Sequence, residues 1–360
     1  MPTPTVLAVD GNSLLHRAFH DSARSGFRTP DGRPGWAVRG LLAQLLAAVD
    51  RACADAVVVG FDDRSSSIRR ERWPVYKAHR LPKPDALHEQ LDRAVDVLRE
   101  LGIAVVVPTG LEADDVLASV AAQAPAMGAR TVIVTSDRDS FSLVDEHTRL
   151  LRILNGGVHA SPLLDPVRLA MVAGVRPDQY LDLAALRGDA SDNLPGVRGF
   201  GAKTAVRLLG GLGTAADAFA DAAAGGVRCT AAVGAARTRT LATDEARDQW
   251  QLNREVMAMV RTVDLGLDLS ATSAPGVLPI DEQAIGRVFS RHGLDTATAI
   301  RALTLREPTG PAGPAGPEAP REPSYVDPRW RPAAPVARFP PLPAPARPEP
   351  EPASVQDTLF

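Results

Sequence analysis

The sequence predicts an α/β protein: a mainly parallel, doubly wound sheet, followed by a small helical domain and a disordered tail. Three observations lead there. Short apolar runs at 5–10, 56–61, 103–107, 131–135 and 150–154 alternate with helical patterns over the first 165 residues, as parallel strands joined by crossover helices do. After about residue 165 the strand signal fades, and helical patterns with Gly-rich turns continue to about residue 305. From Glu307 onward Pro, Ala, Gly and Arg dominate, a composition that cannot bury enough apolar surface to fold.

Each element has its own signal. Residues 5–10 and 56–61 are short buried strands, and Leu41 to Val49 is a helix. Leu87, Leu91, Val95 and Leu98 recur at helical spacing, so Leu87 to Leu101 is an amphipathic helix. Ile103 to Val107 is a strand, Asp115 to Ala124 a helix, and 131–135 and 150–154 are further strands. Between the second strand and the amphipathic helix lies a different kind of segment. Over 64–83 seven bases (Arg64, Arg69, Arg70, Arg72, Lys77, Arg80 and Lys83) face Glu71 alone, so salt-bridge lacing within the segment is unavailable.

Bulk properties narrow the function classes. No apolar stretch is long enough to span a bilayer, and the N-terminus lacks a signal-peptide pattern. Cys53 and Cys229 are too few for a disulfide framework and lack zinc-ligand spacing, so a reducing, cytoplasmic compartment is expected. The formal net charge of −3 argues against nucleic acid. That average conceals a local asymmetry, because acids in one part of the chain offset basic clusters in another.

The acids are the informative set. Asp10, Asp62, Glu112, Asp114, Asp115, Asp137, Asp139, Asp189 and Asp192 fall mostly where a predicted strand ends or a helix begins. Ligands of open α/β sheets bind outside the carboxyl ends of the strands, so the ladder is expected to converge there. So many carboxylates share a pocket only if cations neutralise them, which points to a polynuclear site for a hard divalent metal. Asp10 taken alone reads first as a turn or cap residue. Glu112, Asp114 and Asp115 open a helix, where the helix dipole accounts for one or two acids but poorly for three; metal binding is the better reading. Asp137 and Asp139 alternate as EF-hand acids do, but Ser142 and Thr148 stand where that loop needs Gly and Glu. Further on, Gly196, Gly199 and Gly201 form a tight hairpin before a helix starting near Ala202, with Lys203 and Thr204 at its start. Such a turn aims backbone N–H groups at a phosphate, and the Walker spacing is absent.

The stretches Val9-Asp-Gly-Asn-Ser13, Phe61-Asp62, Tyr76-Lys-Ala-His-Arg80, Glu112-Ala-Asp-Asp-Val-Leu117, Ser136-Asp-Arg-Asp139 and Gly188-Asp-Ala-Ser-Asp-Asn-Leu-Pro-Gly-Val197 resemble, in order and spacing, the 5′ nuclease superfamily. That superfamily includes the 5′→3′ exonuclease domain of bacterial DNA polymerase I, phage exonucleases and flap endonucleases. The resemblance covers roughly residues 5–300. It implies a freestanding enzyme with a PIN-like catalytic domain at 1–165, an arch at about 64–100, a helix-hairpin-helix (H3TH-type) DNA-binding domain at 166–305 and a linker at 306–355. It further implies two Mg²⁺ or Mn²⁺ ions, the first surrounded by Asp10, Asp62, Glu112 and Asp114. The second would be surrounded by Asp137, Asp139 and Asp192, with Asp115 and Asp189 as accessory acids. Lys77 and Arg80, expected to be exposed, would act on the scissile phosphate, and Arg69, Arg70, Arg72 and Lys83 would grip the threaded strand. Gly196, Gly199, Gly201, Lys203 and Thr204 would hold the duplex backbone, with K⁺ at the hairpin. Pro34-Gly-Trp-Ala-Val-Arg-Gly40 departs from the family pattern.

The expected activity is removal of 5′ ends and flaps from DNA, and of RNA at RNA–DNA primer junctions, on the bacterial nucleoid. Two rivals stand beside it: a PIN-type ribonuclease, and a non-catalytic DNA-binding scaffold. The final residues 356–360, with Gln356, Leu359 and Phe360, resemble peptides that dock on the bacterial sliding clamp. A short apolar-anchored peptide on a flexible tether suits that purpose.

Overall fold

The computed structural model describes residues 3–271 and 274–304. The linker at 306–355 and the clamp-like peptide at 356–360 lie outside the described residues. In chain order the first part comprises β1 (Thr5–Asp10), α1 (Gly11–Ser22), α2 (Trp36–Ala52), β2 (Ala56–Gly60), α3 (Ile68–Arg72), α4 (Asp85–Glu100), β3 (Ala104–Val106), α5 (Ala113–Gln123), β4 (Arg130–Thr135), β5 (Thr148–Arg152), α6 (Gly157–Ala160) and β6 (Leu163–Leu164). Helices follow: α7 (Pro166–Ala173), α8 (Pro177–Arg187), α9 (Ala202–Leu212), α10 (Ala215–Ala223), α11 (Val227–Val233), α12 (Ala235–Leu241), α13 (Asp244–Met257), α14 (Glu282–Arg291) and α15 (Thr296–Thr304).

The sheet runs β3-β2-β1-β4-β5-β6, parallel except for the antiparallel β6. β1 is buried along its whole length, as is β2, because both faces are covered; hence their unbroken apolar runs. One face packs on α1, α2 and α4 through Leu14, Leu41, Leu45 and Leu98. The other packs on α5 and α8 through Val116, Val120 and Leu183, and this core continues into the helical region through Leu208 and Trp250. The order reverses between β1 and β4, the crevice where open α/β sheets bind ligands.

Two local features differ from the sequence expectation. Helix α1 follows Asp10 directly, the carboxylate capping it at 2.8 Å from Ser13 N; its stripe of Leu14, Leu15 and Ala18 is too short to announce itself against the preceding strand. Helices α14 and α15, expected within the helical domain, pack on α4 and α2 through Ile285, Phe289 and Leu303, and Val277 bridges to Ala56. The apolar period of those helices is visible in the sequence, but not the surface it seeks.

Gly11 shows how tightly the β1–α1 corner is packed. A Cβ there would lie 2.5 Å from the ring of Phe61, itself 3% exposed. Gly11→Ala is therefore expected to destabilise the protein by about 1–3 kcal/mol, read as a lower urea midpoint at unchanged slope.

Candidate metal centre and its cationic cover

The strand ends deliver the acids. Asp10 terminates β1, Asp62 follows β2, Asp137 follows β4, and Glu112 and Asp114 sit at the N-terminus of α5. A two-residue antiparallel ladder, Gly188–Asp189 with Leu194–Pro195, folds Asp189 and Asp192 back toward them. The turn needs Gly196, where a Cβ would stand 2.1 Å from Arg187 O. A cavity of about 770 Å³ is lined by Asp10, Asp62, Glu112, Asp114, Asp137, Asp139, Asp189 and Asp192, so eight of the nine predicted acids meet.

Second partners hold these carboxylates. Asp10 accepts from Ser13 N and, at 2.8 Å, from Thr135 Oγ1. Asp62 Oδ1 accepts from Ala113 N at 3.0 Å, Asp137 Oδ1 from Asp139 N at 3.0 Å, and Asp189 Oδ1 from Ser191 N at 2.7 Å. Asp114 Oδ1 is buried with no hydrogen-bond partner. Burial pushes Asp10 up to about 7, helped by Asp62 and Asp137, although Ser13 and Thr135 pull it down. Burial, with Asp137, Asp189 and Asp192, pushes Asp139 up to about 7. Asp114 lies well above the ordinary carboxylate range for the same reason, with Asp10, Asp137 and Asp139 adding to burial.

An all-oxygen donor set with an orphaned buried oxygen and mutually repelling carboxylates fits a hard divalent cation. With the side chains as they stand, no three acids among the described residues close on a single point as a metal-ligating group.

The ninth acid does not join them. Asp115 is fully buried. Its oxygens take Arg69 Nη1 and Nη2, each at 2.7 Å, together with Glu112 N at 3.0 Å and Val260 N at 2.8 Å. Asp115 is the counter-ion of Arg69 and does not line the cavity where an accessory acid was expected. Arg69 likewise is 7% exposed, edging the cavity wall while its guanidinium is taken up by protein acceptors.

The basic segment folds over the acids and pairs with them. Lys77 Nζ lies 2.7 Å from Glu112 Oε1, and Tyr76 donates its hydroxyl to Glu112 Oε2 at 3.0 Å. Arg80 Nη2 reaches Asp192 Oδ1 at 2.5 Å. The backbone interlocks too: Lys77 N donates to Asp192 O at 2.9 Å and Asn193 Nδ2 to Val75 O at 2.8 Å. Lys77, expected to be exposed, is largely covered, with 13% of its side chain accessible and φ at +55°. Burial alone would lower its pKa, but Glu112 and Asp192 outweigh it and hold the ammonium above its ordinary value. Arg80 is exposed as expected. Lacing within 64–83 is indeed missing, but the bases find acids far along the chain, including Arg72 with Glu255 and Arg64 with Asp92.

Other predicted contacts fall as follows. Arg70 and Arg72 are exposed, and Lys83 is half-buried on the cavity wall. Gly199, Gly201 and Lys203 are exposed at the start of α9, and Gly196 is half-buried beside them. Thr204 is 8% exposed, so most of it is buried under the start of α9. Sequence reasoning gave no role to His16, which lines the cavity. Burial, Lys83 and His20 hold it down to about 4. Its helix α1 was the signal that could have placed it there.

An acidic pocket thus lies at the switch point of a mainly parallel sheet, with a mainly helical region attached. The family model "5′-3′ exonuclease, N-terminal resolvase-like domain" matches residues 5–168, and "5′-3′ exonuclease, C-terminal SAM fold" matches residues 175–277; the chain belongs to the 5′ nuclease superfamily. DNA polymerase I of Mycobacterium bovis is 39% identical over 211 residues, 59% of this chain and 23% of that protein. The thermostable DNA polymerase I of Thermus aquaticus is 41% identical over 208 residues, 58% of this chain and 24% of its own length. The chain thus spans about a quarter of these relatives. In fold it is similar to the T5 D15 protein co-crystallised with metal ions, at a TM-score of 0.58 and 16% identity, covering 83% of this chain and 99% of that one. It is also similar to the catalytic core of Rad2 in complex with DNA, at 0.52 and 15%, covering 84% and 92%.

Asp114 gives a pH test. A carboxyl whose folded-state pKa is raised stabilises the fold while it is protonated, and that contribution is lost as pH rises through the folded-state value. Asp114→Asn is expected to stabilise the metal-free protein at pH 8 by about 1–3 kcal/mol. The gain should shrink toward pH 4, where the wild-type carboxyl is neutral in the fold. Urea melts in EDTA at both pH values read this, and an equal gain at both would contradict it.

Proposed function

We propose that this chain is a divalent-metal-dependent 5′→3′ exonuclease and flap endonuclease acting on DNA 5′ ends, and on RNA at RNA–DNA primer junctions. One observation carries the reading: eight acids of the ladder line one cavity beneath Lys77 and Arg80, in a chain whose greater part matches the family. Asp10, Asp62, Glu112 and Asp114 would hold one Mg²⁺ or Mn²⁺, and Asp137, Asp139 and Asp192 a second, with Asp189 in support. When bound, such a pair supplies an activated water and stabilises the leaving alkoxide.

The chain's own side chains do the remaining work. Thr135 and Ser13 keep Asp10 aimed into the cavity. Lys77 and Arg80, now paired with Glu112 and Asp192, are placed to exchange those partners for phosphate oxygens, whose charge they would neutralise. Lys83 and Arg70 extend the positive surface along a single strand. Exposed Gly199, Gly201 and Lys203 form a turn suited to duplex phosphates, with K⁺ at the hairpin. The natural setting would be the bacterial cytoplasm, on nucleoid DNA; among the described residues no helix is long and apolar enough to cross a membrane.

The decisive experiment is cleavage of an end-labelled 5′-flapped duplex with Mg²⁺ and with EDTA, beside a single-stranded RNA. Metal-dependent release of flap products supports the reading. Preferential RNA cleavage would favour a PIN-type ribonuclease, and no cleavage a binding scaffold. Asp139→Ala is expected to lower the rate by about 10³-fold or more. Lys77→Ala should lower kcat about 10²-fold, and because it leaves Glu112 without its ammonium partner the melting temperature should fall as well.

The terminal Gln356, Leu359 and Phe360 are proposed to bind the sliding clamp. Fluorescence anisotropy of a 350–360 peptide with the clamp should show binding that Leu359→Ala with Phe360→Ala removes. No binding by the unaltered peptide would refute it.

A further inference from the structure

One buried guanidinium joins three stretches that lie far apart in the sequence. Arg69 in α3 grips Asp115 in α5 with both terminal nitrogens, each at 2.7 Å. Its Nε donates to Val256 O at 3.1 Å and its Nη2 to Ala258 O at 2.9 Å, on the segment leaving α13. Asp115 closes the triangle by accepting from Val260 N at 2.8 Å. The same segment is strapped further along α5, where Ser119 Oγ accepts from Val263 N at 3.0 Å and Gln123 Nε2 donates to Val263 O at 2.9 Å. Only the planar fork of Arg, with its rigid set of donors, satisfies all these acceptors at once.

Two further observations separate this bridge from an ordinary buried ion pair. Its remaining contact ends on the site: Arg69 Nη1 lies 3.4 Å from Glu112 Oε2, and Glu112 also receives Tyr76 and Lys77. And the base of the basic segment is almost separate from the main cores. Tyr76, Leu194 and Val256, with Trp73 and Met257 against them, form a small cluster, in which Met257 alone also packs on a main core. Apolar packing alone holds that base weakly, so polar ties decide where it sits: the Arg69 bridge together with the Lys77–Asp192 and Asn193–Val75 bonds.

We propose that Arg69 is a positioning residue for phosphodiester cleavage: by bridging Asp115 to the Val256 and Ala258 carbonyls, it sets the basic segment 68–80 and Glu112 at one spacing and ties that spacing to the end of α13. Arg69 edges the cavity wall, but its hydrogen bonds run to protein acceptors. It sets where Lys77 and Glu112 stand, and it does so from the helix that ends the SAM-fold region. This inference rests on the cleavage reading given above.

Removing one partner would leave a buried charge, so the test removes both, since a buried pair replaced by neutral groups is often tolerated. In Arg69→Met with Asp115→Asn, the melting temperature is expected to stay within about 5 °C of wild type. The kcat on a 5′-flapped duplex should fall about 30-fold or more, while Kd for that duplex in EDTA changes less than about threefold. In the DNA-free, metal-free protein, amide exchange over 68–80 should quicken about tenfold with 5–10 and 130–135 unchanged. Arg69→Lys keeps the charge without the fork and should lie between the two; if the double variant does not fold, it carries the test. Wild-type kcat with wild-type exchange over 68–80 in either folded variant would overturn the proposal. So would faster exchange spread evenly through the sheet, which marks a structural role alone. Failure of the wild-type chain to cleave any flap would instead sink the cleavage reading, and the exchange arm would still report on the bridge.

Discussion

Mutual repulsion among carboxylates buried at one end of a sheet is the constraint on which the rest of this structure depends. Asp10, Asp114 and Asp139 are each driven upward in pKa by burial and by neighbouring carboxylates, Asp137 among them in every case. A fold that holds them ionised together does so against a free-energy gradient. Relief can come from protonation, from divalent cations or from the protein's own bases. The structure uses the last of these as far as geometry allows, and Asp114 Oδ1 remains without a partner.

The bases that give this relief are also the ones proposed to meet phosphates. Lys77 and Arg80 are paired with Glu112 and Asp192, so an arriving phosphodiester would compete for cations that the acids already hold. If divalent ions take the acids, the cations are freed for the substrate; the two events would favour each other without a moving part being required. The interlocked backbone of 75–77 with 192–193 keeps this exchange local, and the Arg69–Asp115 bridge holds its floor.

Several residues serve two purposes at once. Asp10 caps α1 and faces the cavity, so serving as a cap leaves it free to serve also as the proposed metal ligand. Asp115 looked like the third member of an acidic cluster, yet it is wholly committed to Arg69 and to backbone N–H groups. From the chain alone the two cases look alike: an acid at the start of a helix. What separates them is which side of α5 each carboxylate leaves from, a difference of about 100° per residue.

The sequence by itself determined the alternation of strands and helices, the acids at the ends of β1, β2 and β4, the glycine turn before α9 and the motif order that marks the family. These are readable because they depend on neighbours within one turn or one strand. Only the tertiary structure decided which acids share the cavity, that α14 and α15 return to the sheet, that Lys77 is covered, and that Arg69 and Thr204 are buried. Those outcomes rest on contacts between residues remote in the chain, such as Arg80 with Asp192 and Arg69 with Val256. Composition and periodicity carry no term for pairs at that separation. A charged side chain is buried or exposed according to whether the fold brings it a partner able to offset its desolvation, and that partner exists only once the chain has closed on itself.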